Sequence, residues 1–205
     1  MNIIKPYIKD VVFFEPDSGE NIEALIERIG RVCYQSSPGS SGSNSANEFI
    51  RMLQKNGHHA MLEFGYAVVF IVADRGFTHE LVRHRLASFA QESTRWCNYS
   101  KGKFGETITV IEQPGLTEHQ EFWWKRAMQR SERYYLRLIN EGVPAQIARS
   151  VLPIGLKAEI VIGCNLREWK HIFTLRTKPN CHPIMKSVIS GIEDLFKRYS
   201  RVLFG

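Results

Sequence analysis

Arg83-His84-Arg85-Leu86-Ala87-Ser88-Phe89-Ala90-Gln91-Glu92-Ser93-Thr94-Arg95-Trp96 sits at the centre of this chain, and the flanking sequence reads as what holds and completes it. It brings together three arginines, a histidine, three hydroxyls and a carboxamide, with Leu86, Ala87, Phe89 and Trp96 between them as apolar anchors. An arginine fork matches phosphate oxygens, a hydroxyl adds a short donor, and a carboxamide can give and accept at the edge of a heterocycle. Taken alone, a short basic cluster is more often a solvated charged face.

The composition bounds the answer without giving it. At 205 residues, 43% hydrophobic and 11% aromatic, the chain has the make-up of one ordinary globular domain with a real core. No apolar run approaches the roughly 20 residues that span a bilayer. The first ten residues carry no signal-like pattern, so a soluble, cytoplasmic protein with no membrane partner is expected. A net charge of +6 implies anionic partners but does not choose between nucleic acid, nucleotide and phosphorylated cofactor. Four scattered cysteines, Cys33, Cys97, Cys164 and Cys181, form no Cys-x-x-Cys pair and read as thiols of a reducing compartment.

Apolar residues 3–14 predict one or two strands broken at Pro6, and the spacing of Ile22, Leu25, Ile26, Ile29, Val32 and Cys33 predicts an amphipathic helix after the turn Asp17-Ser18-Gly19. Residues 36–45 read as a flexible loop, followed by a helix to Gln54 or Lys55 that stops at Asn56-Gly57. Residues 62–74 predict a buried strand, and a helix over 77–86 then delivers Arg83, His84 and Arg85 at its end. A short strand over 106–112 precedes a long helix opened by the capping-box pattern Thr117-Glu118-His119-Gln120 and closed at Glu141-Gly142. Pro144 starts a helix that carries Arg149 to Leu152-Pro153, a strand occupies 157–163, a helix follows over 165–175, and a last amphipathic helix runs from Pro183 through Val202. With no repeat and no linker, the chain reads as α+β, a single mixed domain over residues 1–205 with a β-sheet packed by long helices.

Several familiar chemistries are absent. His79 and His84 are five apart, which turns them about 140° away from each other around a helix, so the zinc-protease pattern fails and no metal is expected. There is no glycine-rich dinucleotide loop or P-loop, so a phosphorylated cofactor would need the basic cluster for its grip. Ser88 and Ser93 have no recognisable His-Asp relay.

Arg83, His84, Arg85, Ser88, Ser93 and Arg95 together resemble the signature of the flavin-dependent thymidylate synthases, R-H-R-x-x-S-x-x-x-x-S-x-R, with every fixed position present. The resemblance extends to Gly57-His58, to Ala148-Arg149-Ser150-Val151-Leu152-Pro153, and to Asn165-Leu166-Arg167 with Leu175-Arg176. It implies an enzyme that methylates deoxyuridine monophosphate to thymidine monophosphate, with methylenetetrahydrofolate as carbon donor and NADPH as reductant through bound FAD, and without an enzyme nucleophile. It further implies flavin contacts from His58, Arg83, His84, Arg85, Gln91, Asn165, Arg167 and His171. Nucleotide contacts would come from Glu80, Arg83, Gln91, Glu92, Ser93, Thr94, Arg95, Arg149 and Arg176, with Arg176 also the activating residue. A homotetramer with shared active sites is implied as well. Cys97 lies outside the signature and is read as non-catalytic.

The sequence departs from the family pattern at Glu80, where glutamine is frequent, at Ala60 and Cys33, where hydroxyls are usual, and in the spacing to His182. Two other readings stay open. One is a single-stranded nucleic-acid module that stacks bases on Phe89, Trp96 and Tyr99; the other is a flavin-binding homologue without synthase activity.

Overall fold

Pro6, with its fixed φ and missing N–H, splits the apolar N-terminal run into β1 (Asn2–Ile4) and β2 (Tyr7–Phe14). Asn21 accepts from the Ala24 N–H at 2.9 Å and opens α1 (Ile22–Tyr34), which ends where Gln35 enters the left-handed region. α2 (Ser43–Lys55) gives way at Asn56 to Gly57, whose φ of +72° suits glycine, and a 3-10 segment His59–Phe64 leads into β3 (Tyr66–Asp74). Asp74 accepts from the Phe77 N–H at 2.7 Å and opens α3 (Arg75–Leu81). β4 (Ser88–Gln91) and β5 (Thr109–Ile111) follow. Thr117 and Gln120 then form a reciprocal capping box that starts α4 (Glu118–Asn140). The short α5 (Ala145–Ala148) passes into a 3-10 turn, Arg149–Val151, ahead of β6 (Lys157–Asn165). Asn165 accepts from the Glu168 N–H at 2.9 Å to open α6 (Leu166–Arg176), and α7 (Pro183–Tyr199) and α8 (Arg201–Phe204) close the series.

This computed structural model describes residues 1–16, 19–37 and 43–205. It is a mixed α+β fold, as the pattern of the sequence leads one to expect. A four-stranded sheet has the order β2-β3-β6-β4, and β1 pairs in parallel with β5, Asn2 opposite Thr109 and Ile4 opposite Ile111. No helix among the described residues is long and apolar enough to cross a membrane.

Several expected boundaries move, each for a local reason. The helix expected over 77–86 stops at Leu81, because the Val82 and Arg83 N–H groups turn back onto Thr78 and Glu80 carbonyls. Arg83, His84 and Arg85 therefore lie in a turn beyond the helix. Ser88–Gln91, read from sequence as loop, becomes β4 because β6 offers it a ladder partner. Residues 62–64 belong to the 3-10 segment rather than to the strand. The last helix breaks at Ser200, whose extended backbone lets its hydroxyl cap α8 by accepting from the Leu203 N–H at 3.3 Å. Of the loop expected over 36–45, residues 38–42 lie outside the described residues, as do residues 17 and 18 of the first turn, and the helix begins already at Ser43.

Contacts group the chain into two compact units. The first comprises Met1–Lys9, Phe70–Arg83 and Phe89–Val161, with a core of Tyr99, Ile108, Val110, Tyr135, Ala148 and Leu156. In it Glu132 of α4 accepts from the Thr107 hydroxyl and the Ile108 N–H, both at 2.9 Å, which fixes the long helix on the start of β5. The second comprises Asp10–Val69, His84–Ser88 and Ile162–Gly205. Its core is aromatic: Trp169 packs on Phe173 and Phe196, Phe196 on Phe204, and Phe13 stacks on Tyr199 at 3.7 Å between ring centroids. Trp169 Nε1 donates to the Ala67 carbonyl at 3.2 Å, so the buried indole is satisfied and α6 is pinned to β3. Gly65 keeps that junction close, since a Cβ there would stand 2.5 Å from Leu166 Cδ1.

Candidate functional site

In the first unit, β4 delivers the loop that follows it. Gln91 Nε2 donates to the buried Thr78 hydroxyl at 2.9 Å, which anchors the carboxamide to α3. The Glu92 carboxylate accepts from the Tyr99 phenol at 3.0 Å, the Lys157 ammonium at 2.6 Å and the Glu159 N–H at 3.2 Å. Burial, reinforced by the Glu92 charge and hydrogen bond, pushes the Tyr99 phenol well above its usual range, so it stays a donor. Beyond this clamp the chain turns tightly, with the Trp96 and Cys97 N–H groups on the Ser93 carbonyl.

That turn presents the anion-binding groups. Thr94 is buried, and its hydroxyl accepts from Arg149 Nη1 at 3.2 Å. Arg95 donates from Nε to Gln146 Oε1 at 3.2 Å and lies over the Trp96 ring. α5 and the 3-10 turn after it thus bring Gln146 and Arg149 to the residues of the basic stretch. A cavity of about 370 Å³ in this unit is lined by Gln91, Glu92, Cys97, Lys157 and Glu159, among others. Glu80, at the end of α3, is half-buried, and Arg83 is exposed.

The second unit holds another cluster. His84 is buried; its Nδ1 lies 3.2 Å from Glu168 Oε1, and Arg176 Nε donates to its Nε2 at 3.0 Å. A guanidinium has donors only, so Nε2 has to accept, and the ring proton sits on Nδ1 and points at Glu168. Burial first, then the Arg176 charge, hold the imidazole below its ordinary 6.5 against the opposing pull of Glu168. His171 stands next to it, with ring centroids 5.9 Å apart. A cavity of about 480 Å³ is lined by Glu63, Leu86, Asn165, Arg167, Glu168 and His171. Arg167 and His171 are four apart on α6 and so share a face, and Arg167 pairs with Glu63 at 2.5 Å.

His58 is tied to the Tyr34 hydroxyl at 2.8 Å and is not among the residues described as lining that cavity. Arg85 is exposed. Tyr99, a stacking platform in the nucleic-acid reading, is only 4% exposed with its hydroxyl engaged, so it offers no face to a base. Folding also gathers His84, Glu168 and His171 with ligand-capable atoms within 4.8 Å of one another, a grouping their sequence positions do not announce. A cation there would need to displace the Nδ1 proton with a guanidinium already on the other ring nitrogen. That charge opposes it.

With this geometry in place, comparison with known proteins decides the family. The model of the family described as thymidylate synthase complementing protein matches residues 17–199. The chain belongs to the flavin-dependent thymidylate synthase family. It is 30% identical over 200 residues to a flavin-dependent thymidylate synthase of Corynebacterium efficiens, covering 89% of this chain and 78% of that one. To the flavin-dependent thymidylate synthase of Geobacter sulfurreducens it is 32% identical over 165 residues, covering 75% and 68%. In fold it is similar to a UMP/dUMP methylase, PolB, from Streptomyces cacaoi, solved with 5-Br dUMP, at a TM-score of 0.76 and 20% identity over all of this chain and 95% of the other.

For this flavin-dependent thymidylate synthase family member, the two clusters divide the residues singled out by sequence. Gln91, Glu92, Ser93, Thr94, Arg95 and Arg149 belong to the first unit, and His84, Asn165, Arg167, His171 and Arg176 to the second. Four partners were not legible as site residues: Thr78, Gln146, Lys157 and Glu168. Glu168 stands three residues after the cap Asn165, a position at which a carboxylate reads as a helix-start residue.

Proposed function

We propose that this protein converts deoxyuridine monophosphate to thymidine monophosphate, taking the carbon from methylenetetrahydrofolate and reducing equivalents from NADPH through FAD. The observation that carries the reading is the meeting of Thr94 and Arg95 with Arg149 and Gln146, residues more than 50 positions away, beside an anchored carboxamide. Arg95 and Arg149 would neutralise the nucleotide phosphate, with the Ser93 and Thr94 hydroxyls as further donors. Gln91 would read the edge of the pyrimidine. Glu92 would hold the loop in shape, its carboxylate being engaged by Tyr99 and Lys157. Glu80, at the end of α3, and Arg83, in the turn beyond it, would complete the nucleotide contacts.

For the flavin, the cavity lined by Asn165, Arg167, His171 and Leu86 has a size and a donor set that fit an isoalloxazine or part of its phosphate chain. His84, Arg85, Arg83, Gln91 and His58 are further proposed contacts. Bound FAD would supply the hydride and handle the one-carbon unit. Arg176 would stabilise negative charge on the pyrimidine as it develops, an electrostatic role that needs a fixed guanidinium. The chemistry asks placement of the protein rather than attack, so no nucleophile is assigned to Cys97. A cytoplasmic homotetramer working as one functional domain per chain completes the proposal.

The test is the visible spectrum of the protein supplied with FAD, followed by NADPH with and without deoxyuridine monophosphate under anaerobic conditions. Flavin uptake and nucleotide-sensitive bleaching are expected. A protein that takes up no FAD overturns the reading.

A further inference from the structure

Glu168 is a residue that neither the signature nor the charge pattern picks out, yet it is buried to 6% exposure beside His84, to which Arg176 donates. Three groups stand in line: the Glu168 carboxylate, the His84 imidazole at 3.2 Å, and the Arg176 guanidinium at 3.0 Å from the far ring nitrogen. All three belong to the same compact unit. α6 supplies both ends of the line, and the turn after α3 supplies the ring between them.

We propose that Glu168 is a positioning residue: by accepting the Nδ1 proton of His84 it fixes the tautomer whose Nε2 accepts from Arg176, and so aims the guanidinium at the pyrimidine. The proposal rests on the role given to Arg176 above. A buried imidazole has two neutral tautomers, and only the one with the proton on Nδ1 leaves an acceptor for a group that can only donate. Without Glu168, the other tautomer would set an N–H against the Arg176 N–H, and the hydrogen bond that sets the angle of the guanidinium at Nε would be lost. A carboxylate that orients a histidine, which in turn holds the working group, follows the logic of the carboxylates behind metal-binding histidines, whose loss costs about 10–100-fold in metal affinity or activity.

The groups facing the ring are Glu168, which favours its charged form, and Arg176 and His171, which oppose it; Cys164 lies near Glu168 and is itself pushed up by burial. Protonation of His84 puts a proton on Nε2 and breaks the Arg176 contact, so activity should fall on the acid side of the His84 titration. The hydrogen bond and the charge of Glu168 both raise that titration, so removing the charge should move the acid limb to lower pH while the plateau drops.

The experiment combines two readouts on Glu168→Ala and Glu168→Gln, with folding checked by circular dichroism. The first is the His84 tautomer, read by 15N–1H correlation spectroscopy on histidine-labelled protein, with His84→Gln for assignment. The second is kcat against pH with deoxyuridine monophosphate. The native protein should show the proton on Nδ1; Glu168→Ala should show a mixture and a kcat lower by about 10–100-fold. Glu168→Gln, which keeps an acceptor but no charge, should retain more activity, with its acid limb displaced downward. A Glu168→Ala protein with the native tautomer and native kcat overturns the proposal, as does a loss of activity with the tautomer and the acid limb unmoved. If the native protein has no synthase turnover, the function proposed above fails, while the tautomer measurement still decides the link from Glu168 to His84.

Discussion

Arg149 Nη1 donates to the Thr94 hydroxyl at 3.2 Å, so the 3-10 turn after α5 is locked to the loop after β4 across 55 positions of sequence. The bond leaves the guanidinium beside the loop that carries Ser93 and Arg95, where a phosphate would meet two arginines at once. A hydrogen bond to a charged group contributes about 1.5–3 kcal/mol, so Arg149→Ala should raise the dissociation constant of deoxyuridine monophosphate about 10–100-fold. Thr94→Ala should weaken binding less. Calorimetric titration with nucleotide measures both, and unchanged affinity in Arg149→Ala would remove it from the phosphate site.

The clamp on Glu92 makes a prediction about stability. Its carboxylate takes hydrogen bonds from Tyr99, Lys157 and the Glu159 backbone, and Lys157 is only 24% exposed. Lys157→Met should cost about 1.5–3 kcal/mol, and Tyr99→Phe about 0.5–1.5 kcal/mol, because each leaves a partly buried carboxylate one donor short. Denaturant unfolding checks the order, and a Tyr99→Phe loss larger than that of Lys157→Met would contradict it.

His84 gives stability a pH dependence of known sign. Its folded value is depressed below 6.5 by burial and the Arg176 charge, so the unfolded chain binds the proton first as the solution is acidified. The contribution is fully present above 6.5, declines as the pH falls from there through the folded value, and is gone below it. His84→Gln should therefore lose less thermal stability than the native protein between pH 7.5 and pH 5.5, as measured by calorimetry. Parallel losses in the two proteins would count against a neutral buried His84.

Trp169 is fully buried among Phe173 and Phe196, with its indole N–H on Ala67. Trp169→Ala should destabilise the protein by about 3–5 kcal/mol, with Trp169→Phe costing less. Since Trp169 lies on α6 between Arg167 and His171, flavin uptake should fall with it.

What could be read from the chain follows from what acts locally. Thr117 announces its helix because a capping box needs only two side chains and backbone N–H groups three residues apart. Pro6 breaks its strand on φ alone. Residues 83–95 announce themselves through spacing that matches a family. β4 was not legible, because Ser88–Gln91 is a strand only by virtue of β6 beside it. Lys157 opens a strand and Glu168 the first turn of a helix, and each acquires its role from a residue 65 or 84 positions away. Tyr99 looked like a stacking surface because sequence does not say which side of a turn is buried. The meeting of His84, Glu168 and His171 is invisible for the same reason: two of them share α6, and the third comes in from the turn after α3.

The most direct test of the proposed activity is a mass-spectrometric search for thymidine monophosphate after incubation of the protein with deoxyuridine monophosphate, methylenetetrahydrofolate, NADPH and FAD. The account predicts a product heavier than the substrate by one CH2, a methyl group in place of a ring hydrogen, formed in native protein and lost in Arg176→Ala. A protein that takes up FAD and oxidises NADPH yet returns the substrate unmethylated would contradict it.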